Sequence, residues 1–369
     1  MKEWQTKNFS DVLDIKNGRN QKEVESDNGE YPIYGSAGNV MGYANSYICE
    51  AGTTIVGRKG NINSPIYSET RFWNVDTAFG LAAKPGLDSK FLYYYCISYD
   101  FSALNRGTTI PSLVKSELLG ISIPFPPLPE QHRIVAILDA AFDHIATARA
   151  NCEANLLNAR AIFESHLQAV FTQRGDGWVE KKLADVCEIT SMLVDPRKEE
   201  FLDLTHVGAG NIVSQTGAFI ELKTAREEAL ISGKFPFDDS MVLYSKIRPY
   251  LMKVARPDFN GLCSADMYPL APIPSEITRD YLYHMLLSKK FTDYAIQGSA
   301  RAGMPKVNRE HLFEFKVWLP AVKKQKELAQ KLDELHVETQ RLASLYKRKL
   351  QALDDLKKSL LHQAFSGLL

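Results

Sequence analysis

The chain says the same thing twice, and internal repetition fixes architecture before any motif is read. Pro126-Pro127-Leu128-Pro129-Glu130-Gln131 opens a long helical pattern that ends near Phe171, and Leu319-Pro320 opens a second that ends near Phe365. Sliding one onto the other by 194 residues brings Gln131 onto Gln325, Asp139 onto Asp333, Leu156 onto Leu350 and Phe171 onto Phe365 without a gap. The match continues upstream more weakly. Trp4 to Ile15 aligns with Trp178 to Ile189, Phe91-Leu92-Tyr93 with Tyr281-Leu282-Tyr283, and the Gly107 to Pro111 loop with the Gly298 to Pro305 loop. The order is therefore A–B–A′–B′, with A globular and B a long helix. The middles, roughly 20–80 and 192–270, barely match. Frames that agree around divergent middles suggest one scaffold with two specificities; drift after duplication is the plainer alternative.

The two helical patterns constrain each other. Apolar or small residues recur at Ile134, Leu138, Ala141, Ile145, Ala148, Cys152, Leu156, Ala159 and Ile162, and at the repeat-equivalent positions from Leu328 to Leu356. This is a coiled-coil stripe. Its one irregularity, two four-residue steps between Ala148 and Leu156, recurs between Leu342 and Leu350 as a shared stutter. A helix of about 40 residues, about 60 Å long, cannot bury such a stripe alone. The natural partner is the other helix, run antiparallel, with packing on the helix's own domain or on another protein as alternatives. The expected fold is α+β: two mixed α/β globular domains and a pair of long antiparallel coiled-coil helices in a pseudo-twofold repeat. The expected segments are 1–125, 126–173, 174–320 and 321–369. Within the A regions, 53–56 and 241–244 are expected as strands, 90–102 and 280–294 as helices, and 121–124 and 315–318 as final strands.

Composition is that of a globular protein with zero formal net charge, so any case for nucleic acid must come from local patches. No run approaches a membrane span, and the N-terminus has no apolar leader, so a cytoplasmic protein is expected. The five cysteines are scattered without ligand spacing and are expected as reduced, buried thiols. There is no Walker-type phosphate loop, G-x-S-x-G, H-E-x-x-H or amino-methyltransferase tetrapeptide. Pro257-Asp258 lacks the spaced Glu-x-Lys of a nuclease motif. Neither catalytic residues nor a cofactor or metal site is expected.

The chain does carry basic loops free of acids. Residues 55–67 hold Arg58 and Lys59. Residues 240–256 hold Lys246, Arg248, Lys253 and Arg256 with Tyr244 and Tyr250 interleaved. Residues 297–309 hold Arg301, Lys306 and Arg309, and the equivalent first-half loop holds Arg106, Thr108, Thr109 and Lys115. Singly, each reads as a solvated loop. Recurrence at equivalent positions in both halves favours binding, with Arg and Lys on phosphates and polar side chains on base edges.

Pro126-Pro127-Leu128-Pro129-Glu130-Gln131-His132-Arg133-Ile134 resembles the junction signature of type I restriction–modification specificity subunits. Tyr244-Ser245-Lys246-Ile247-Arg248-Pro249-Tyr250-Leu251 and Val56-Gly57-Arg58-Lys59-Gly60 look like segments of their target recognition domains. The resemblance spans the chain, although the second junction has decayed to Leu319-Pro320-Ala321-Val322-Lys323-Lys324-Gln325. It implies a non-catalytic subunit that binds double-stranded DNA. Each recognition domain reads half of an asymmetric bipartite site, and the helices set the spacer. It also implies two modification subunits, which hold S-adenosylmethionine and methylate adenine, and restriction subunits with a translocase. Carried over, the DNA-contact residues are Arg58, Lys59, Thr108, Thr109 and Lys115 in the first domain. In the second they are Ser245, Lys246, Arg248, Tyr250, Ser299, Arg301 and Lys306, with Arg58, Arg248 and Arg301 the candidates for guanine edges. The competing readings are a stand-alone DNA-modifying or DNA-cleaving enzyme and a structural coiled-coil adaptor.

Overall fold

The computed structural model describes residues 4–36, 38–299 and 305–369. Its contacts divide into a first unit, 1–153 with 347–369, and a second, 154–346. Each long helix, Leu128–Thr172 and Val322–Phe365, therefore contributes to both units.

In the first unit the strand Gln5–Asn8 pairs antiparallel with Ser122–Phe125, so the start and end of the globular region close on each other. A four-stranded antiparallel sheet follows the order Leu13–Asn17, Ala78–Ala83, Thr53–Gly57, Ile66–Ser68. Thr53–Gly57 is buried along its whole length because the sheet is covered on both faces. The second unit repeats this plan. Val179–Lys182 pairs with Lys316–Leu319, and the sheet runs Cys187–Glu188, Met267–Pro272, Val242–Ser245, Val254–Ala255. The plan also persists where the sequences do not match. Tyr31–Tyr34 lies parallel to Trp73–Asn74, and Thr205–Val207 lies parallel to Gly261–Cys263. The two divergent middles thus share a topology that their residues do not reveal.

The helix expected over 90–102 is Ser89–Ser98 followed by a short 3-10 turn, Phe101–Leu104. That expected over 280–294 divides into Arg279–Leu287 and Lys289–Gln297. The cause is Ser288, whose hydroxyl donates to Met285 O (2.7 Å) and accepts from Phe291 N (3.3 Å), ending one helix and capping the next.

Each long helix is fixed to its globular region by a buried glutamine. Gln131 is fully buried; its Oε1 accepts from Asp88 N (2.8 Å) and its Nε2 donates to Gly86 O (3.0 Å) and Pro126 O (2.8 Å). Gln325 does the same with Thr278 N (2.9 Å), Glu276 O (2.8 Å) and Pro320 O (3.0 Å). One amide thus satisfies three backbone groups at the meeting of a proline-ended strand, a helix start and a second helix cap. Two turns on, Asp139 receives Lys90 (3.1 Å) and Tyr94 (2.5 Å), while Asp333 receives Arg256 (2.7 Å) and His284 (2.8 Å). Tyr94 and His284 occupy equivalent helix positions, so different chemistry serves one latch.

The two long helices run antiparallel within each unit. In the first unit Arg149 bonds Asp354 (2.5 Å) and Arg133 bonds the Leu369 carbonyl (2.7 Å). In the second, the Phe163 ring meets His336 at a tilt (centroids 4.7 Å apart) while Leu167 and Phe171 share a core with Ala329 and Leu332. The expected stripe needs one correction, made identically in both helices. Ile162 and Leu356 face outward, 43% and 47% exposed. Phe163 packs inward in their place, and at its equivalent the Lys357 ammonium lies over the Phe142 ring (4.9 Å). A further four-residue step, from Ala159 to Phe163, replaces the expected three, because at 3.6 residues per turn a strict seven-residue repeat drifts off the buried face unless four-residue steps are added.

The latch in the second unit makes stability depend on pH. Burial lowers the His284 pKa against the pull of Asp333, and its Nδ1 has no partner among the described residues, so a second ring proton would be stranded. Burial also lowers the His206 and His336 pKa values. Groups whose folded pKa lies below the unfolded value, about 6.5, lose stabilisation as pH falls through that value. Asp333, held down mainly by His284 and Arg256 despite its desolvation, acts only below the ordinary carboxylate range. Thermal unfolding should therefore shift several degrees lower between pH 7.5 and 5.5. An unchanged midpoint would mean that these histidines titrate alike in the folded and unfolded chain.

Candidate nucleic-acid interface

In each unit a loop leaves the central strand and is clasped to the segment that precedes the last strand of the region. In the first unit Arg58 N donates to Thr77 O (2.8 Å), Gly60 N to Pro111 O (2.9 Å) and Leu113 N to Arg58 O (2.8 Å). In the second, Lys246 N donates to Asp266 O (3.0 Å), Arg248 N to Pro305 O (2.9 Å) and Val307 N to Lys246 O (2.8 Å). The basic loops picked out along the chain are thus brought together in pairs, 58–60 with 111–113 and 246–248 with 305–307. Arg58, Lys59 and Gly60 correspond to Lys246, Ile247 and Arg248.

This correspondence separates cations that hold the fold from cations that face outward. Arg58 donates to Asp76 O (3.3 Å) and lies over Phe79 (5.7 Å). Lys246 donates to Ala265 O and lies over Tyr268 (5.3 Å), and burial lowers its pKa. The two side chains thus play one structural part. Lys115 and Arg309 form a second matched pair, donating to Ile15 O (2.9 Å) and Ile189 O (3.3 Å). Lys253 donates to Ala209 O (2.5 Å), and Arg256 is held by Asp280 and Asp333. Ser245 and Ser299 are buried, bonded to Ile247 O (3.2 Å) and Ile296 O (2.8 Å). Lys306 is exposed but pairs with Asp266 (3.3 Å). Arg301 lies outside the described residues.

What remains at the surface is a short set. Lys59 and Arg248 are exposed, and neither side chain has a hydrogen bond or ion pair among the described residues. Tyr250, 52% exposed, follows Arg248 on a single 3-10 turn, Pro249–Leu251. Thr108 and Thr109 are exposed at the tip of a loop that Asn105 closes, its Oδ1 accepting from Gly107 N and Ser112 N (both 2.8 Å). Gly107 cannot be replaced there, since a Cβ would fall 1.7 Å from Ile110 O. Asn105 went unnoticed in the sequence, although a turn-forming Asn two residues before a Gly is a local signal for such a loop.

The third clasp position carries the clearest strain. Gly60 is left-handed (φ +86°), which glycine adopts freely, but Arg248 at the same place is also left-handed (φ +50°). A side chain kept where the backbone prefers glycine points to a use for that side chain. Unpaired cations beside close-approaching backbone suit an anion such as phosphate. Among the described residues no group of His, Cys, Asp and Glu is arranged to hold a metal.

Residues 1–154 and 175–347 match the family described as Type I restriction modification DNA specificity domain. The chain belongs to that family. It is 25% identical to the type I restriction enzyme EcoDI specificity subunit of Escherichia coli, over 99% of this chain and 88% of that one. It is also 21% identical to the MjaVIII specificity subunit of Methanocaldococcus jannaschii, over 86% and 76%. Among solved structures, a chain from work on complex assembly and conformational transition of the type I R-M system aligns with TM-score 0.76, 16% identity, and coverage of 100% and 99%. The HsdS subunit from Thermoanaerobacter tengcongensis aligns with TM-score 0.60, 17% identity, and coverage of 99% and 97%. Over nearly their full lengths these two solved chains share the fold of this one. No helix among the described residues is long and apolar enough to cross a membrane.

Proposed function

We propose that this chain is the DNA-reading subunit of a type I restriction–modification complex, with the first unit reading one half-site and the second the other. The observation that carries this reading is the clasp built twice with the same hydrogen bonds, each copy presenting one cation that is unpaired among the described residues, Lys59 or Arg248. In this reading those cations hold phosphates, which set register without reading sequence. Arg58, Lys246 and Lys115 support the clasp from within, and the divergent middles discriminate bases.

The chain itself performs no bond-breaking chemistry in this account. Modification subunits, two by the pseudo-twofold symmetry of the repeat, dock on the paired helices and supply adenine methylation; restriction subunits add translocation and cleavage. The division into 1–125, 126–173, 174–320 and 321–369 is then one of labour: readers and rulers. Inserting four residues into each long helix at the shared stutter, next to Cys152 and Tyr346, adds about 6 Å, or about two base pairs of spacer. Mapping the bound or methylated site in the full complex should show a longer gap between unchanged half-sites. Altered half-sites, or an unaltered gap, would contradict the ruler.

A further inference from the structure

The second unit holds strained backbone that the described residues of the first do not. All non-glycine residues with positive φ among the described residues lie in this unit: Gln215, Glu221, Ala229, Arg248 and Met252. Three of them form one connected patch. Leu251 N and Met252 N bond Arg248 O (2.9 Å) and Pro249 O (3.0 Å), closing the turn that carries Tyr250, and Gln215 N bonds Met252 O (3.1 Å). Gln215 sits at the tip of a hairpin in which Ile212 bridges Phe219 and Val213 N bonds Ala218 O (2.9 Å). Tyr283 donates to Thr216 O (3.1 Å), so the tip is fastened beside the clasp turn.

This hairpin has no counterpart among the described residues of the first unit. There the shared parallel strand Tyr31–Tyr34 reaches its edge partner Val40–Ala44 through residues 35–39 alone. In the second, Thr205–Val207 reaches Lys223–Thr224 through the longer stretch 208–222. An element with no repeat-equivalent side chains is one place where the two half-sites can be told apart. Gln215 is exposed. Its Nε2 touches only the Met252 thioether, a weak acceptor, at 4.0 Å, and its Oε1 has no partner among the described residues. A carboxamide with one acceptor and two donors matches the N6 and N7 edge of adenine in the major groove.

We infer that Gln215 is a specificity-determining residue of the second unit and reads an adenine in its half-site. The inference rests on the DNA-recognition reading above. Gln215→Gly tests it without harming the fold, because glycine accepts the left-handed backbone and keeps the N–H to Met252 O. The full chain with its modification subunit is first used to recover its site from random DNA duplexes. Gln215→Gly should then lose preference at one adenine of one half-site, leave the other half-site intact, and melt no lower than the unaltered chain. Placing 7-deazaadenine at that position should weaken the unaltered chain on the order of tenfold and leave Gln215→Gly unaffected. A retained adenine preference in Gln215→Gly overturns the inference alone, as does a uniform loss of affinity for every sequence. If the unaltered chain recovers no consensus, the DNA-recognition reading fails and this inference with it.

Discussion

Reversing Lys59 and Arg248 together to glutamate should lower affinity for the cognate duplex by two to three orders of magnitude, on the order of several kcal/mol. Both side chains are exposed and unpaired among the described residues, so the folded chain loses nothing by their replacement. An anion in place of a cation against the phosphate chain adds repulsion to the lost attraction. Single neutral substitutions, Lys59→Gln or Arg248→Gln, should each flatten the salt dependence of binding by about one counterion. They should act alike on cognate and unrelated duplexes, because a phosphate contact positions the protein without identifying a base. Fluorescence anisotropy across a salt series separates these outcomes. Arg58→Met and Lys246→Met are the contrasting pair. Their side chains bond Asp76 O and Ala265 O inside the fold, so stability should suffer before binding does.

The second large effect is structural. Gln131→Leu fills the same space but abandons Asp88 N, Gly86 O and Pro126 O in a fully buried position. An unmet buried backbone group costs roughly 1–3 kcal/mol. With some relaxation, the loss should come to about 3–5 kcal/mol, a large share of a domain's usual stability. Urea unfolding should show the first unit melting earlier while the second holds. Gln325→Leu should produce the mirror result, because it abandons the equivalent set of three groups. If both variants melt as the unaltered chain does, these glutamines do not anchor the helices.

Much of this was legible in the residues because repetition is a property of sequence. The frame of each unit, its final strand and the antiparallel helices follow from matched positions such as Gln131 with Gln325 and Phe171 with Phe365, whereas the pairing of each final strand with the first strand of its unit does not. The error at Ile162 and Leu356 arose because a heptad template was extended past the stutter, where the helix face drifts by one position. The candidate site was less legible, for a spatial reason. Residues 240–256 contain no carboxylate after Asp239, yet Asp266, Asp280 and Asp333 arrive from elsewhere to occupy Lys246 and Arg256. A loop free of acids along the chain is not free of them in space, and only Arg248 of its four cations stays unpaired among the described residues. The hairpin bearing Gln215 was hidden because short, irregular strands leave no periodic signal.

The central claim is that one scaffold, used twice, reads two unlike half-sites at a fixed separation. Selection of bound duplexes from a random pool, using the full chain with its modification subunit, tests it most directly. The account predicts two short blocks of different sequence, separated by a gap of constant length with no base preference. A single continuous block, two identical blocks, or a gap of variable length would contradict it.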